Sequence, residues 1–168
     1  MKIIICGDIH AGKSTLIQRI VRRIDAEPMG YITKRVECPD GVSRVFIHDL
    51  RKPDDKKVII TIKDGVYEGY PELLDTFGVS CLEGIPEGST VVLDEIGTLE
   101  TKSPEFQKAV LRVLSGNYTV LASVKAQNTD FLRTVRRHPD CELYIITPEN
   151  RDSLYTQLRS LVTQAEDK

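Results

Sequence analysis

No apolar stretch in this chain of 168 residues approaches the roughly 20 residues that a membrane-spanning helix needs. The opening segment Lys2-Ile3-Ile4-Ile5-Cys6 reads as a strand rather than a leader, so no signal peptide is expected. Cysteine is scarce. Cys6, Cys38, Cys81 and Cys141 are widely spaced and form no C-x-x-C. That excludes a zinc-binding pattern and a disulfide framework and suits a reducing, cytoplasmic setting. Cys6, Cys81 and Cys141 read as small core residues. An excess of one charge is lacking too: 23 Lys and Arg face 25 Asp and Glu, a formal net charge of -2. No basic face stands out, so nucleic acid is not an expected partner. Arg19, Arg22, Arg23 and the pair Arg136-Arg137 read as solvated helix faces. There is no repeat, linker or low-complexity block, and the length suits a single domain over 1–168, expected to be monomeric.

One motif stands against these absences. Gly7-Asp8-Ile9-His10-Ala11-Gly12-Lys13-Ser14 fits G-x-x-x-x-G-K-[ST], and its flanks are the right ones. A short β-branched strand precedes it. After it, Leu16, Ile17, Ile20, Val21 and Ile24 recur at the spacing of one buried helical stripe. Backbone N–H groups from Gly7 to Thr15 are expected to cradle phosphates at the helix start. Lys13 is placed to reach the β- and γ-phosphates, and the Ser14 hydroxyl suits a Mg²⁺ ligand. His10 stands where such loops often carry another glycine. It reads as an exposed loop residue tolerated at positive φ rather than as a catalytic group.

The rest of the chain alternates. Strands are expected at 2–6, 29–36, 42–49, 57–63, 90–95, 118–124 and 142–147. Helices are expected at 13–25, 71–77, 104–114, 129–137 and 150–163, with Arg51 to Asp55 as a turn and Ser103 as a cap. The tail from Gln164 to Lys168 is expected to fray. This pattern predicts an α/β fold: a mostly parallel sheet with helices on both faces and β-hairpins inserted at one side. The ligand should then lie at the carboxyl ends of the strands.

A second constellation is Val91-Val92-Leu93-Asp94-Glu95-Ile96-Gly97. An apolar strand ending in Asp then Glu supplies the second carboxylate a phosphate-loop enzyme needs. Asp94 can hold Mg²⁺ opposite Ser14, and Glu95 can accept a proton from water aligned on the γ-phosphorus. Ser123 either bonds the γ-phosphate or attacking water, if its strand neighbours the phosphate-loop strand, or bonds local backbone. In Thr147-Pro148-Glu149-Asn150-Arg151, Asn150 reads as a helix cap and Arg151 as a catalytic contact to phosphate or a contact to base.

At these residues the chain resembles the small P-loop nucleoside-triphosphatase family, which includes thermophilic nucleoside triphosphate phosphatases and a human cancer-related member. The resemblance rests on Gly7 to Ser14, Gly30-Tyr31-Ile32-Thr33, Val92 to Gly97 with Glu100 beyond, and Thr147 to Arg151. It implies a compact RecA-like domain that slowly hydrolyses ATP, GTP and other nucleoside triphosphates with Mg²⁺. Members have also been labelled nucleotide kinases. His10 departs from the glycine-rich pattern, and about 38–85 matches loosely, so nothing is carried over there.

Three functions compete on the sequence. The leading one is a Mg²⁺-dependent nucleoside-triphosphatase of low base selectivity, since Glu95 beside Asp94 prepares water. A kinase passing the γ-phosphoryl to a small acceptor is the alternative; it needs an arginine-rich lid, and Lys52, Asp54, Asp55, Lys56 and Lys57 are of mixed sign. A nucleotide switch usually carries N-K-x-D, which Lys125-Ala126-Gln127-Asn128-Thr129-Asp130 does not fit. For the cation that stabilises the transition state, Arg151, Arg133 and Lys125 are candidates in that order.

Overall fold

The computed structural model of the chain describes residues 1–24 and 27–166. Its central strands are apolar on both sides because both sides are covered. In β1 (Lys2–Gly7), Ile4 faces one core while Ile3 and Ile5 face another. The first core packs Val91 and Leu93 of β6 (Thr90–Ile96) and Val120 and Ala122 of β7 (Thr119–Lys125) against Phe106, Val110 and Leu114 of α3 (Pro104–Ser115). Phe106 is fully buried and its ring lies 5.5 Å from that of Tyr31. The second core seats Leu16, Ile17 and Ile20 of α1 (Lys13–Val21) and Leu154 and Leu158 of α5 (Arg151–Glu166) on the opposite face. Each such Val, Leu, Ile or Phe side chain contributes about 1.5–3 kcal/mol through burial.

The other strands are β2 (Met29–Glu37), β3 (Ser43–Asp49), β4 (Lys52–Lys63), β5 (Val66–Gly69) and β8 (Glu142–Ile145). The sheet has 8 strands in the order β5-β4-β3-β2-β6-β7-β1-β8. From β2 to β8 along that order all neighbours are parallel; β3, β4 and β5 are antiparallel. The expected parallel sheet with helices on both faces is present. The hairpins inserted at one side are present too, and they extend the same sheet.

Several boundaries move. Arg51 to Asp55 was expected as a turn on its Pro-Asp-Asp composition, but Lys52 already opens β4. Pro53 is tolerated there because β5 pairs only with Ile60 to Lys63, leaving that stretch of β4 at an edge. β5 was not expected, although Asp64-Gly65 carries its signal: both residues have positive φ, 50° and 76°, the backbone of a tight hairpin. The helix expected over 71–77 is a single turn, α2 (Pro71–Leu73), widening into a π-turn at Leu74–Gly78. α1 ends at Val21; Asp25, its expected end, lies outside the described residues, as do Asp167 and Lys168 of the tail. Gln164 to Glu166, expected to fray, still belong to α5. Ser103 does not cap α3 with its side chain. Its hydroxyl donates to the Pro71 carbonyl at 2.8 Å instead. Between β7 and β8 lies α4 (Asp130–Arg136), capped by Thr129.

Cys6 and Cys81 are buried, Cys141 is half-buried against the first core, and all four cysteines are free thiols. Among the described residues no helix is long and apolar enough to cross a membrane.

The parallel register brings four strand ends to one edge: Gly7 pairs with Lys125, Ile5 with Ser123, Ile32 with Asp94 and Cys6 with Ile145. At the start of β2, Gly30 has φ +96°, and a Cβ there would lie 2.2 Å from the Val92 carbonyl oxygen. Only glycine lets β2 lie this close to β6.

Candidate functional site

Beyond β1 the chain turns through Ala11 N–H to Asp8 C=O at 3.2 Å and enters α1 with Leu16 N–H on Gly12 C=O at 2.9 Å. Gly12 caps the helix at φ 100°, and no side chain caps the first N–H groups. These donors face the cleft free of side-chain partners, which is the electrostatic condition for holding an anion. Asp8, Ile9 and His10 form the exposed crest, and His10 takes φ 65°. Its exposure and left-handed backbone fit the reading of a tolerated loop residue.

Lys13 is 5% exposed, and its ammonium folds onto the loop, donating to the carbonyls of Gly7 at 2.9 Å and Asp8 at 2.8 Å. The Ser14 hydroxyl donates to Asp94 Oδ1 at 2.9 Å. The same oxygen accepts from the Ser123 hydroxyl, so Ser123 serves Asp94 rather than local backbone. Its strand does neighbour the phosphate-loop strand, which was the condition for a role in the site.

Asp94 is fully buried, and its Oδ2 has no hydrogen-bond partner. Burial pushes its carboxyl above the ordinary carboxylate range, against the pull of the Ser123 and Ser14 hydroxyls. A buried carboxylate oxygen left bare is costly unless a cation answers it. The donor set fits Mg²⁺: a carboxylate and a hydroxyl, both oxygen. Among the described residues no three His, Cys, Asp or Glu side chains converge on a common point. A Mg²⁺ here would therefore draw most of its ligands from phosphate and water.

Glu95 points into the same cleft and pairs with Lys125, Glu95 Oε1 to Lys125 Nζ 3.1 Å. Glu100, singled out only through family resemblance, is 5% exposed, and burial pushes its carboxyl up to about 7. Backbone N–H groups of Gly97 and Glu100 itself pull the other way. Burial of Tyr31 first, and then the charge of Glu100, raise the Tyr31 phenol well above its usual range, and that hydroxyl also lacks a partner.

The cleft encloses about 760 Å³. Lys13, Ser14, Glu95, Lys125 and Arg151 line its phosphate-loop side, and Thr33 and Arg35 of β2 with Val45, Ile60 and Tyr67 of the antiparallel strands line the far wall. Arg151 lies over Gly12, where a Cβ would come within 2.9 Å of its Cδ. Asn150 is spent on the turn. Its Oδ1 accepts from Thr147 N–H at 2.8 Å and its Nδ2 donates to Ile145 C=O at 2.9 Å. Arg133 is absent from the cleft lining and is held by Asp130 and by Asn128 at 2.8 Å. The sequence gives no sign of the Glu95–Lys125 pair or of the hairpin wall, because both depend on which strands become neighbours.

A family model described as NTPase matches residues 2–159. The nucleoside-triphosphatase THEP1 of Aquifex aeolicus is 28% identical over 176 residues, covering 96% of this chain and 99% of its own. Its counterpart from Methanothermobacter thermautotrophicus is 27% identical, covering 96% of each. The crystal structure of THEP1 from Aquifex aeolicus superposes with a TM-score of 0.79 at 27% identity, over 96% of this chain and 99% of that one. The solution structure of a human cancer-related nucleoside triphosphatase has a TM-score of 0.74 at 19% identity over 97% of both, and shares the fold.

Proposed function

The chain belongs to the NTPase family, and from that membership we propose that it hydrolyses nucleoside triphosphates to diphosphate and phosphate, with Mg²⁺ and little selectivity for the base. We further take residues 1–168 to act as one catalytic domain. The observation that carries the reading is Asp94: one oxygen is held by Ser14 and Ser123, the other is buried and bare, and Glu95 stands next in the chain facing the cleft.

The residues divide the work. The N–H groups of the loop from Gly7 to Thr15 hold the phosphate chain, and Lys13 exchanges its two carbonyl partners for phosphate oxygens. Ser14 and Asp94 would hold Mg²⁺, which supplies charge neutralisation across the phosphates. Glu95 accepts a hydrogen bond from the attacking water and takes its proton as the new P–O bond forms. The bond from the γ-phosphorus to the bridging oxygen breaks, and the diphosphate leaves with the electron pair. Arg151, over Gly12, contacts phosphate from outside the loop.

Low base selectivity follows from where the polar groups lie: those described above address phosphate. A pocket dedicated to one base by buried hydrogen bonds would discriminate by ~10⁴ or more. Nothing in the named relatives supports the kinase alternative. The test is phosphate release from ATP, GTP, CTP and UTP, with and without Mg²⁺ and with candidate acceptors. The proposal expects Mg²⁺-dependent release without acceptor, at rates within about two orders of magnitude across bases. Transfer to an acceptor without free phosphate, or one base preferred by ~10⁴, overturns it.

A further inference from the structure

Four cations line the cleft: Lys13, Arg35, Lys125 and Arg151. Lys13 is already assigned to the bound phosphate chain, in exchange for the Gly7 and Asp8 carbonyls it now holds. Arg35 is held at the far wall by Glu37 at 3.0 Å and Ser43 at 3.2 Å. Arg151 lies over Gly12, with its stem packed at the start of α1. Lys125 differs from all three. It ends β7, in register with Gly7 where the phosphate loop begins, and its ammonium rests on Glu95, the carboxylate assigned to the water.

The position of Lys125 is held from three directions. Arg136 of α4 donates to its carbonyl at 2.8 Å and to that of Gln127 at 3.0 Å, fixing the backbone just past the strand. The stem lies against Gly97, where a Cβ would come within 3.1 Å of Lys125 Cδ and 3.4 Å of Cε. The head is half-buried against Glu95, with side-chain exposures of 29% for Lys125 and 26% for Glu95. A lysine left to solvent is mobile; this one is aimed.

We propose that Lys125 is the cation that contacts the γ-phosphoryl oxygens in the transition state, reaching them beside the water that Glu95 holds. The inference rests on the hydrolase reading above. An ammonium has three donors, of which Glu95 takes one, so it can hold the carboxylate and a phosphoryl oxygen together. As the water oxygen approaches and the bridging bond breaks, the equatorial oxygens of the γ-phosphoryl need a positive partner. Lys125 supplies it without gaining or losing a proton. The proton of the water goes to Glu95 and the electron pair of the broken bond to the diphosphate. Before substrate arrives, the same ammonium offsets the charge of Glu95 beside buried Asp94.

The test uses Lys125→Met, which keeps the stem against Gly97, and Lys125→Gln, which keeps a donor for Glu95. Thermal melts identify which variants are folded, and either folded variant suffices. The expected result is a kcat lowered by about 10²–10³-fold, the scale for removing one donor to a developing oxyanion. Affinity for ADP and for an uncleavable ATP analogue should stay within about threefold, while binding of ADP with aluminium fluoride and Mg²⁺, which mimics the transferring group, is lost. Adding Lys125→Met to Glu95→Gln separates contact with phosphate from mere support of Glu95. A residue acting only through Glu95 costs nothing further in that background, whereas the proposal expects about another tenfold. Wild-type rates in a folded variant, equal loss of both analogues, or no further loss in the double variant each overturn the assignment of Lys125. A wild-type protein that releases no phosphate overturns the hydrolase reading and this inference together.

Discussion

Ser14 and Asp94, 80 residues apart in the chain, are joined by a 2.9 Å hydrogen bond from the hydroxyl to Oδ1. The bond links the first turn of α1 to the end of β6, and it leaves the other Asp94 oxygen bare in a buried site. A hydroxyl and a carboxylate pre-aligned in this way would exchange their mutual bond for a shared cation without moving backbone.

Glu95→Gln should separate binding from chemistry. The amide keeps size and shape but is a far poorer proton acceptor. Single-turnover hydrolysis should slow by about 10²–10⁴-fold while nucleotide affinity is kept. A folded variant that hydrolyses at the wild-type rate removes Glu95 from the mechanism.

Lys13→Ala should lose tight triphosphate binding. It also forfeits two hydrogen bonds to the loop carbonyls of Gly7 and Asp8. The stability cost should be modest, about 1–2 kcal/mol, since both carbonyls can turn to water at the cleft. Calorimetric titration with ATP and Mg²⁺, run beside urea unfolding, checks both halves; unchanged affinity would refute the role of this loop.

Glu100→Gln should reshape the dependence of stability on pH. The Glu100 carboxyl rises from 4.5 to about 7 in the folded chain. Below the lower value the group is protonated in both states and costs nothing. Between the two values the unfolded chain releases its proton first, so stability falls as pH rises. Above the upper value the loss is complete, on the order of 3 kcal/mol. The Gln variant should therefore gain on the wild type as pH rises from 4.5 to about 7 and keep that gain above it, in paired urea melts. Parallel pH profiles for the two proteins would contradict a proton held at this site.

Gly30→Ala should destabilise the whole fold. The new methyl would meet the Val92 carbonyl oxygen at 2.2 Å and sit on a backbone at φ +96°. Strain and overpacking together amount to about 2–5 kcal/mol. A melting temperature equal to that of the wild type would show that β2 can move away from β6.

What could be read in advance was whatever depends on neighbours in the chain. The loop from Gly7 to Ser14, the Asp94-Glu95 strand end and the alternation of strands and helices are local patterns, and the sheet brings their side chains together. Partners chosen across the sheet were hidden. Lys125 reaches Glu95 because β6 and β7 are neighbours. Arg51, expected in a turn, bonds Asp49 at 2.9 Å and the carbonyls of Ser80 at 2.6 Å and Glu83 at 2.7 Å, fastening the hairpin to a distant segment. Turn composition misled at Lys52 to Asp55, where an edge position tolerates proline, and Asp64-Gly65 was the missed sign of β5. Ser103 had the residue type of a cap, but a carbonyl from another element took its hydroxyl.

The strand order also sets a timetable. β2, β3, β4 and β5 pair in the sequence in which they are made, so that half of the sheet closes short loops and can form while later residues are still being added. β1 has no such early partner. Lys2 awaits Val120 and Ile3 awaits Glu142, so the strand that leads into the phosphate loop stays unpaired until most of the chain exists. The residues that begin the nucleotide site are made well before the two strands that frame them.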